Sequence, residues 1–312
     1  MRLCRVGPET APRAALYDER QIVPIADAAA AFGRETGERL NLPAVDDLLV
    51  YLPGGAAHLQ TQRVASWLGE NPLPGLDPST IELLVPIPRP NKIFLLAGNY
   101  AEHIKEGGGI AAERAETFPY IFMKPPSTTL NHPGQPVVIP KLSPSAIDWE
   151  LELAVVIGKK CKAVREADAL QYVAGYTIIN DISNRKFRPN PGRKKRERDA
   201  FFDWLHGKWF DSFCPRGPCI TSANAIPDPQ NLPLKLTLNG ETRQDADTSM
   251  MIFPVGALIE FISAMVTLEP GDLISTGTPS GVGNATGTYL KPGDVMHGSI
   301  GGIGTLVTRM VA

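Results

Sequence analysis

The chain has 312 residues, a formal net charge of −2, 43% hydrophobic and 21% charged residues. That balance excludes a disordered, collagen-like or coiled-coil protein, and the near-neutral charge excludes general attraction to nucleic acid. No apolar run approaches the roughly 18 residues of a membrane span, the N-terminal stretch has no apolar signal core, and four scattered cysteines form no disulfide or zinc framework.

Buried thiols in a reducing cytoplasm are therefore expected. The 29 glycines and 29 prolines favour short strands and tight turns over a helical bundle. Residues 1–88 read as a small mixed domain. Ala15–Tyr17 and Gln21–Ile25 have the look of strands, and Ala26–Gly33, Val45–Tyr51 and Leu59–Gly69 of helices. The proline-rich Val85–Pro90 reads as an extended linker. From residue 89 on, strand-like runs alternate with Gly/Pro turns: Lys92–Leu96, Tyr120–Met123, Pro136–Ile139, Leu151–Ile157, Tyr176–Ile182, Leu234–Leu238, Leu273–Thr276 and Gly304–Val311. Two helical segments, Glu166–Val173 and Pro254–Ala264, interrupt these strands.

Four constellations in this second part carry chemistry. Asn99-Tyr-Ala-Glu-His103-Ile-Lys-Glu106 places His103 and Glu106 three apart on a helix, where a carboxylate can orient an imidazole as a general base. A mixed-charge surface helix has the same spacing. Gly107–Gly109 cannot continue the helix and mark a mobile, lid-like segment. In Asp148-Trp-Glu-Leu-Glu152, three acids share one strand face at about 6.6 Å intervals. They are either a solvated edge or, because the apolar Ala154–Ile157 follows, ligands entering a core. Asp181 ends another apolar strand, as a turn or capping residue or as a third ligand. An oxygen-only set selects Mg²⁺, Mn²⁺ or Ca²⁺ over zinc.

Arg185–Arg198 is strongly basic, reading as a nucleic-acid patch or, with one aromatic only, as a solvated insertion. Arg185 and Arg188 lie close enough to Asp181 in sequence to reach an anionic ligand there. Finally, the glycine-rich Ser275–Gly283 follows an apolar strand. It is either a tight connection or a loop aiming N–H groups and hydroxyls at an anion.

In this order the motifs AGNYAEHIKE (97–106), IFMKPPST (121–128), DWELELAVVIGKKC (148–161), GYTIINDISNR (175–185), GKWFDSFCPRGP (207–218), LNGETRQDADTSMMIF (238–253) and LEPGDLISTGTPSGVG (268–283) resemble the fumarylacetoacetate hydrolase family over roughly residues 85–312. The resemblance implies a β-rich α+β fold with a rolled, mixed sheet, preceded by a small N-terminal domain, and a homodimer. It implies a Mg²⁺ or Mn²⁺ site made by Glu150, Glu152 and Asp181, with Ca²⁺ able to stand in. It implies His103 and Glu106 as a catalytic dyad on a lid, Lys208 facing the substrate, and Thr278 holding a substrate carboxylate. Tyr100, Lys124, Arg185 and Arg188 are expected among the substrate contacts.

The activity so implied is C–C bond hydrolysis of acylpyruvates or other 2,4-diketo acids. Decarboxylation of oxaloacetate-type 2-oxo acids and hydroxymuconate-type isomerisation or hydration are the alternatives on the same metal. The partner expected is a small anionic 2-oxo acid, with neither nucleic acid nor membrane. The chain departs from the family pattern at Lys186 and Arg188, where an acid and a glutamine are usual, at the basic insertion that follows, and at Ala97, where glycine is usual. These departures bear on substrate identity and leave the metal ligands intact.

Overall fold

The computed structural model describes residues 1–312. An 11-stranded sheet runs through the molecule. Its main path is Ile22–Pro24, Arg13–Tyr17, Arg2–Val6, Cys214–Ser222, Val173–Asn180, Leu151–Ile157, Leu273–Ser275, Ile93–Ala97 and Tyr120–Met123. Neighbours on that path are antiparallel except Leu273–Ser275 and Ile93–Ala97, which are parallel. A second sheet of five strands has the order Glu241–Asp247, Pro233–Leu238, Val295–Ile300, Gly304–Val311, Pro136–Val138. The fold is mixed, sheet-rich α+β.

Alternation along Leu151–Ile157 divides the core. Leu151, Leu153, Val155 and Ile157 pack toward the five-stranded sheet with Leu234, Leu236, Met296 and Leu306. Ala154 and Val156 face the opposite way, into a second cluster with Ile25, Ala28 and Phe32 of α1 (Ile25–Thr36) and Val64 of α2 (His58–Glu70). All seven residues of the strand are buried. The acidic run is thus no solvated edge; it enters a sheet covered on both faces.

The N-terminal strand Arg2–Val6 pairs with Cys214–Ser222, so the large sheet crosses the boundary expected near residue 88. Val45–Tyr51 yields only a 3₁₀ turn at Leu48–Tyr51, started by the Asp47 carboxylate accepting from Leu49 N at 3.0 Å. Glu166–Tyr172 is likewise 3₁₀ rather than α. The nine-residue strand Cys214–Ser222 was not anticipated, because two prolines and a glycine argue against a central strand. It is nevertheless buried throughout, and its neighbours on both sides supply the pattern its own residues lack. All four cysteines are free and buried, as expected. No helix is long and apolar enough to cross a membrane.

Candidate active site

Strand register builds the acidic centre. Leu151 lies opposite Asn180 in the antiparallel pair. Just beyond that pair, Asp181 N donates to Glu150 O at 2.8 Å, and Glu150 N donates to Asn180 Oδ1 at 3.1 Å. The ends of two strands are thereby clamped together, and one oxygen each of Glu150, Glu152 and Asp181 falls within 4.8 Å of the others. Their exposures are 5%, 0% and 0%. Three carboxylates in so little water need positive charge nearby.

The chain supplies part of that charge. Lys208 Nζ donates to Glu150 Oε2 and Asp181 Oδ2, each at 2.6 Å. Lys124 Nζ lies 2.6 Å from Asp181 Oδ1 and donates to Ile182 O at 2.9 Å and Phe213 O at 2.5 Å. Arg185 donates from Nε to Asp148 Oδ2 at 2.7 Å and from Nη2 to Glu150 Oε1. Burial acts to raise the Glu150 carboxyl, but Arg185 and Lys208 outweigh it and hold the group below its ordinary range. Glu152 goes the other way: burial first, then Asp181 and Glu150, push it well up. Burial also raises Asp181 in spite of Lys124 and Lys208.

Glu152 is the least compensated member. Its Oε2 accepts from Ser275 Oγ at 2.6 Å and Gly277 N at 2.9 Å. Its Oε1 is buried with no partner. An orphaned carboxylate oxygen costs free energy that a cation would recover. The donor set, all oxygen, fits a hard divalent ion.

The second half of the site is α3 (Ala101–Glu106). His103 Nδ1 lies 2.8 Å from Glu106 Oε1, and Glu106 Oε2 accepts from Gly281 N at 2.8 Å. Burial works to raise Glu106, but the bonds from His103 and Gly281 prevail and its carboxyl sits below the ordinary range. A cavity of about 250 Å³ is lined by His103, Glu106, Gly107, Arg185 and Asn284 among others. Arg185 lines this cavity and donates to Glu150 Oε1, so it links the histidine pair to the carboxylates. A larger cavity, about 980 Å³, lies against Arg2, Tyr17 and Thr221 and contains a single carboxylate, Asp18.

The glycine-rich loop meets its anions inside the protein. Gly277 N serves Glu152, Gly281 N serves Glu106, and Gly283 N (2.6 Å) and Asn284 N (3.1 Å) serve Asp148. Asp148 is therefore drawn out of the carboxylate row toward this loop and Arg185, and is not part of the triad. Thr278 Oγ1 donates to Leu151 O at 2.9 Å and accepts from Gln244 Nε2 at 2.8 Å, so its hydroxyl is already engaged. Tyr100 is 2% exposed, its hydroxyl has no partner, and burial with the charges of Glu152 and Asp247 raises its pKa. Arg188 is exposed and pairs with no carboxylate. Sequence reasoning missed Gln244 and Asn180. A polar residue directly facing or following an acidic strand end was the available signal.

Residues 92–311 match the family model described as fumarylacetoacetate (FAA) hydrolase, C-terminal. The mitochondrial oxaloacetate tautomerase FAHD2A of Homo sapiens is 37% identical over 289 residues, 89% of this chain and 87% of that protein. The crystal structure of 5-carboxymethyl-2-hydroxymuconate delta-isomerase from Mycobacterium smegmatis is similar with a TM-score of 0.69 and 30% identity, covering 100% of this chain and 98% of that one. Maleylpyruvate hydrolase from Sphingobium sp. SYK-6, crystallised with manganese(II) and pyruvate, gives a TM-score of 0.71 and 29% identity, covering 100% and 99%. These relatives are enzymes of small organic acids.

Proposed function

Because the chain belongs to the fumarylacetoacetate hydrolase family, we propose that it is a divalent-metal-dependent enzyme that forms and protonates the enolate of a small anionic 2-oxo acid. The observation that carries this reading is the buried triad Glu150, Glu152 and Asp181, with its orphaned Glu152 Oε1, joined through Arg185 to the cavity that the His103–Glu106 pair lines. Those three carboxylates are proposed to hold Mg²⁺ or Mn²⁺, with Ca²⁺ as a substitute. The bound ion would act as a Lewis acid toward the substrate's oxygens.

The residues have separate tasks in this reading. Glu106 fixes the His103 ring through Nδ1, leaving Nε2 to take a proton and return it. Gly281 fixes Glu106 in turn. Lys208, Lys124 and Arg185 offset the carboxylates and favour an arriving anion. Thr278 enters the substrate contact through its backbone rather than its engaged hydroxyl, and Tyr100 and Arg188 complete the proposed contacts.

Keto–enol tautomerisation of oxaloacetate is the first reaction to test, supported by the 37% identity to a named oxaloacetate tautomerase. It needs a base and an electrophile but no water. C–C hydrolysis of an acylpyruvate is the second reading, supported by the likeness to a maleylpyruvate hydrolase; there His103 would take its proton from water. A homodimer is part of the proposal, with the exposed Phe118 and Tyr120 available to a second copy. Buried free thiols suit a reducing compartment, the cytoplasm or the mitochondrial interior that relatives' names specify.

The test uses metal-stripped protein with added Mg²⁺ or Mn²⁺. Oxaloacetate is followed by loss of enol absorbance, and acetylpyruvate and maleylpyruvate by product analysis. Turnover restored by metal and lost in Glu150→Gln and Asp181→Asn is expected. Activity indifferent to metal, or no turnover of any of the three, would reject the reading.

A further inference from the structure

The basic run after Arg185 does not end as a free loop. It leads directly into α4 (Asp199–His206), and part of its charge is spent on that helix. Arg193 donates from Nε to Asp199 Oδ2 at 3.0 Å and from Nη2 to Asp203 Oδ2 at 2.5 Å. Arg196 donates from its backbone N to Asp199 Oδ2 at 3.0 Å and from Nε to Asp199 Oδ1 at 3.1 Å. Two arginines of the insertion thus grip the first turn of α4 and an acid one turn further on.

The α4 residue that packs beside the site, half-buried against the core as Leu205 also is, is Trp204. Its ring meets Phe122 edge-on, with centroids 5.0 Å apart. The Lys208 ammonium lies 5.1 Å from the Phe122 centroid and 5.7 Å from that of Trp204, both within cation–π range. The Lys208 side chain is only 3% exposed. Of its three N–H groups, two are committed to Glu150 and Asp181. The two rings flank the same ammonium.

We propose that Trp204, braced through α4 by Arg193 and Arg196, is a positioning residue for Lys208. With Phe122 it forms an aromatic wall that pins the ammonium beside the carboxylate cluster. This rests on the reading of Glu150, Glu152 and Asp181 as a cation site and of Lys208 as a group facing the substrate.

The consequence follows from charge. A divalent cation entering the cluster competes with Lys208 for Glu150 Oε2 and Asp181 Oδ2. An unrestrained lysine, on four rotatable carbons, would swing away from the incoming charge. One held by two ring faces stays, and its positive charge remains next to the cation. The wall therefore weakens metal binding while keeping an ammonium where an anionic substrate can meet it. The basic insertion serves as the scaffold of that wall rather than as a nucleic-acid surface.

The test is Mn²⁺ titration of the metal-stripped protein, with no substrate present, alongside kcat and KM. Trp204→Leu keeps the apolar volume and removes the ring, and is expected to tighten Mn²⁺ binding about 3-fold or more and to lower kcat about 10-fold. Trp204→Phe, which keeps a ring face, should stay within about 2-fold of the wild type in both. Lys208→Met should tighten Mn²⁺ binding by more than Trp204→Leu does. Arg193→Gln leaves both rings in place and should move Mn²⁺ affinity in the same direction as Trp204→Leu.

Equal effects of Trp204→Leu and Trp204→Phe, or wild-type Mn²⁺ affinity in Trp204→Leu, would overturn the proposal. Should Trp204→Leu fail to fold, the Arg193→Gln titration decides: unchanged Mn²⁺ affinity there overturns it. If Lys208→Met alters neither Mn²⁺ affinity nor turnover, the cation-site reading itself is at fault. If Lys208→Met acts and Trp204→Leu does not, the aromatic wall alone is refuted.

Discussion

Gly281 donates its backbone N–H to Glu106 Oε2 at 2.8 Å, and that bond joins the histidine-bearing helix to the glycine-rich loop. The same loop serves Glu152 through Gly277 and Asp148 through Gly283 and Asn284. One short segment therefore orients the base, one carboxylate of the triad, and the acid that holds Arg185.

Gly281 has φ +100°, and a Cβ there would lie 1.9 Å from Arg243 O. No small rearrangement relieves a clash with backbone, and the left-handed conformation adds strain for any L side chain. Gly281→Ala is expected to displace the loop, lower Tm by several degrees, and reduce kcat more than it changes Mn²⁺ affinity. Comparing thermal melts, Mn²⁺ titration and turnover for this one variant checks the coupling; a variant that melts and turns over like the wild type would show the loop to be tolerant.

Glu152→Gln and His103→Ala separate metal holding from proton transfer. Glutamine at 152 cannot offer the cation a carboxylate, so Mn²⁺ affinity should fall at least about 10-fold, no less than loss of an outer-shell partner costs. Alanine at 103 should leave that affinity within about 2-fold but lower kcat by roughly 10²–10⁴, the usual size of general acid–base assistance. Loss of metal binding in His103→Ala would instead make the histidine a ligand.

The lowered Glu106 carboxyl gives a stability prediction with a definite sign. Its folded-state pKa lies below the unfolded value, which is near 4.3 for an ordinary glutamate. The stabilisation from His103 and Gly281 is thus complete above that value, and is lost as pH falls through it toward the folded pKa. Wild type and Glu106→Gln should differ in denaturation midpoint at pH 7 and pH 6, and the gap should close below pH 4. A gap that widens on acidification would contradict the assigned hydrogen bonds.

Arg188 stands exposed without a carboxylate partner. A free guanidinium can take a second carboxylate of a substrate bidentately. Arg188→Gln is expected to lower kcat/KM about 10-fold for dianionic oxaloacetate and little for monoanionic acetylpyruvate, since charge-assisted bonds exceed neutral ones by roughly 1–1.5 kcal/mol. Parallel changes for the two substrates would place Arg188 outside substrate recognition.

Much of the site is local in sequence and was readable there. Glu150 and Glu152 fall on one strand face because the backbone period is two, and Asp181 ends the next apolar strand. His103 and Glu106 meet because helix neighbours lie three or four apart. The apolar run Ala154–Ile157 already signalled that the acids enter a core. Other features depended on partners far along the chain. Cys214–Ser222 is a central strand because Arg2–Val6 and Val173–Asn180 flank it, not because of its own residues. Asp148 shares the acids' spacing, yet Arg185, Gly283 and Asn284 draw it elsewhere. The anion awaited by the glycine-rich loop is supplied by the protein's own carboxylates, and the basic run ends in a helix whose Trp204 covers Lys208. Spacing determines which side chains share a face. Which charges that face meets is decided by the register and packing of segments distant along the chain, and only the folded chain brings those together.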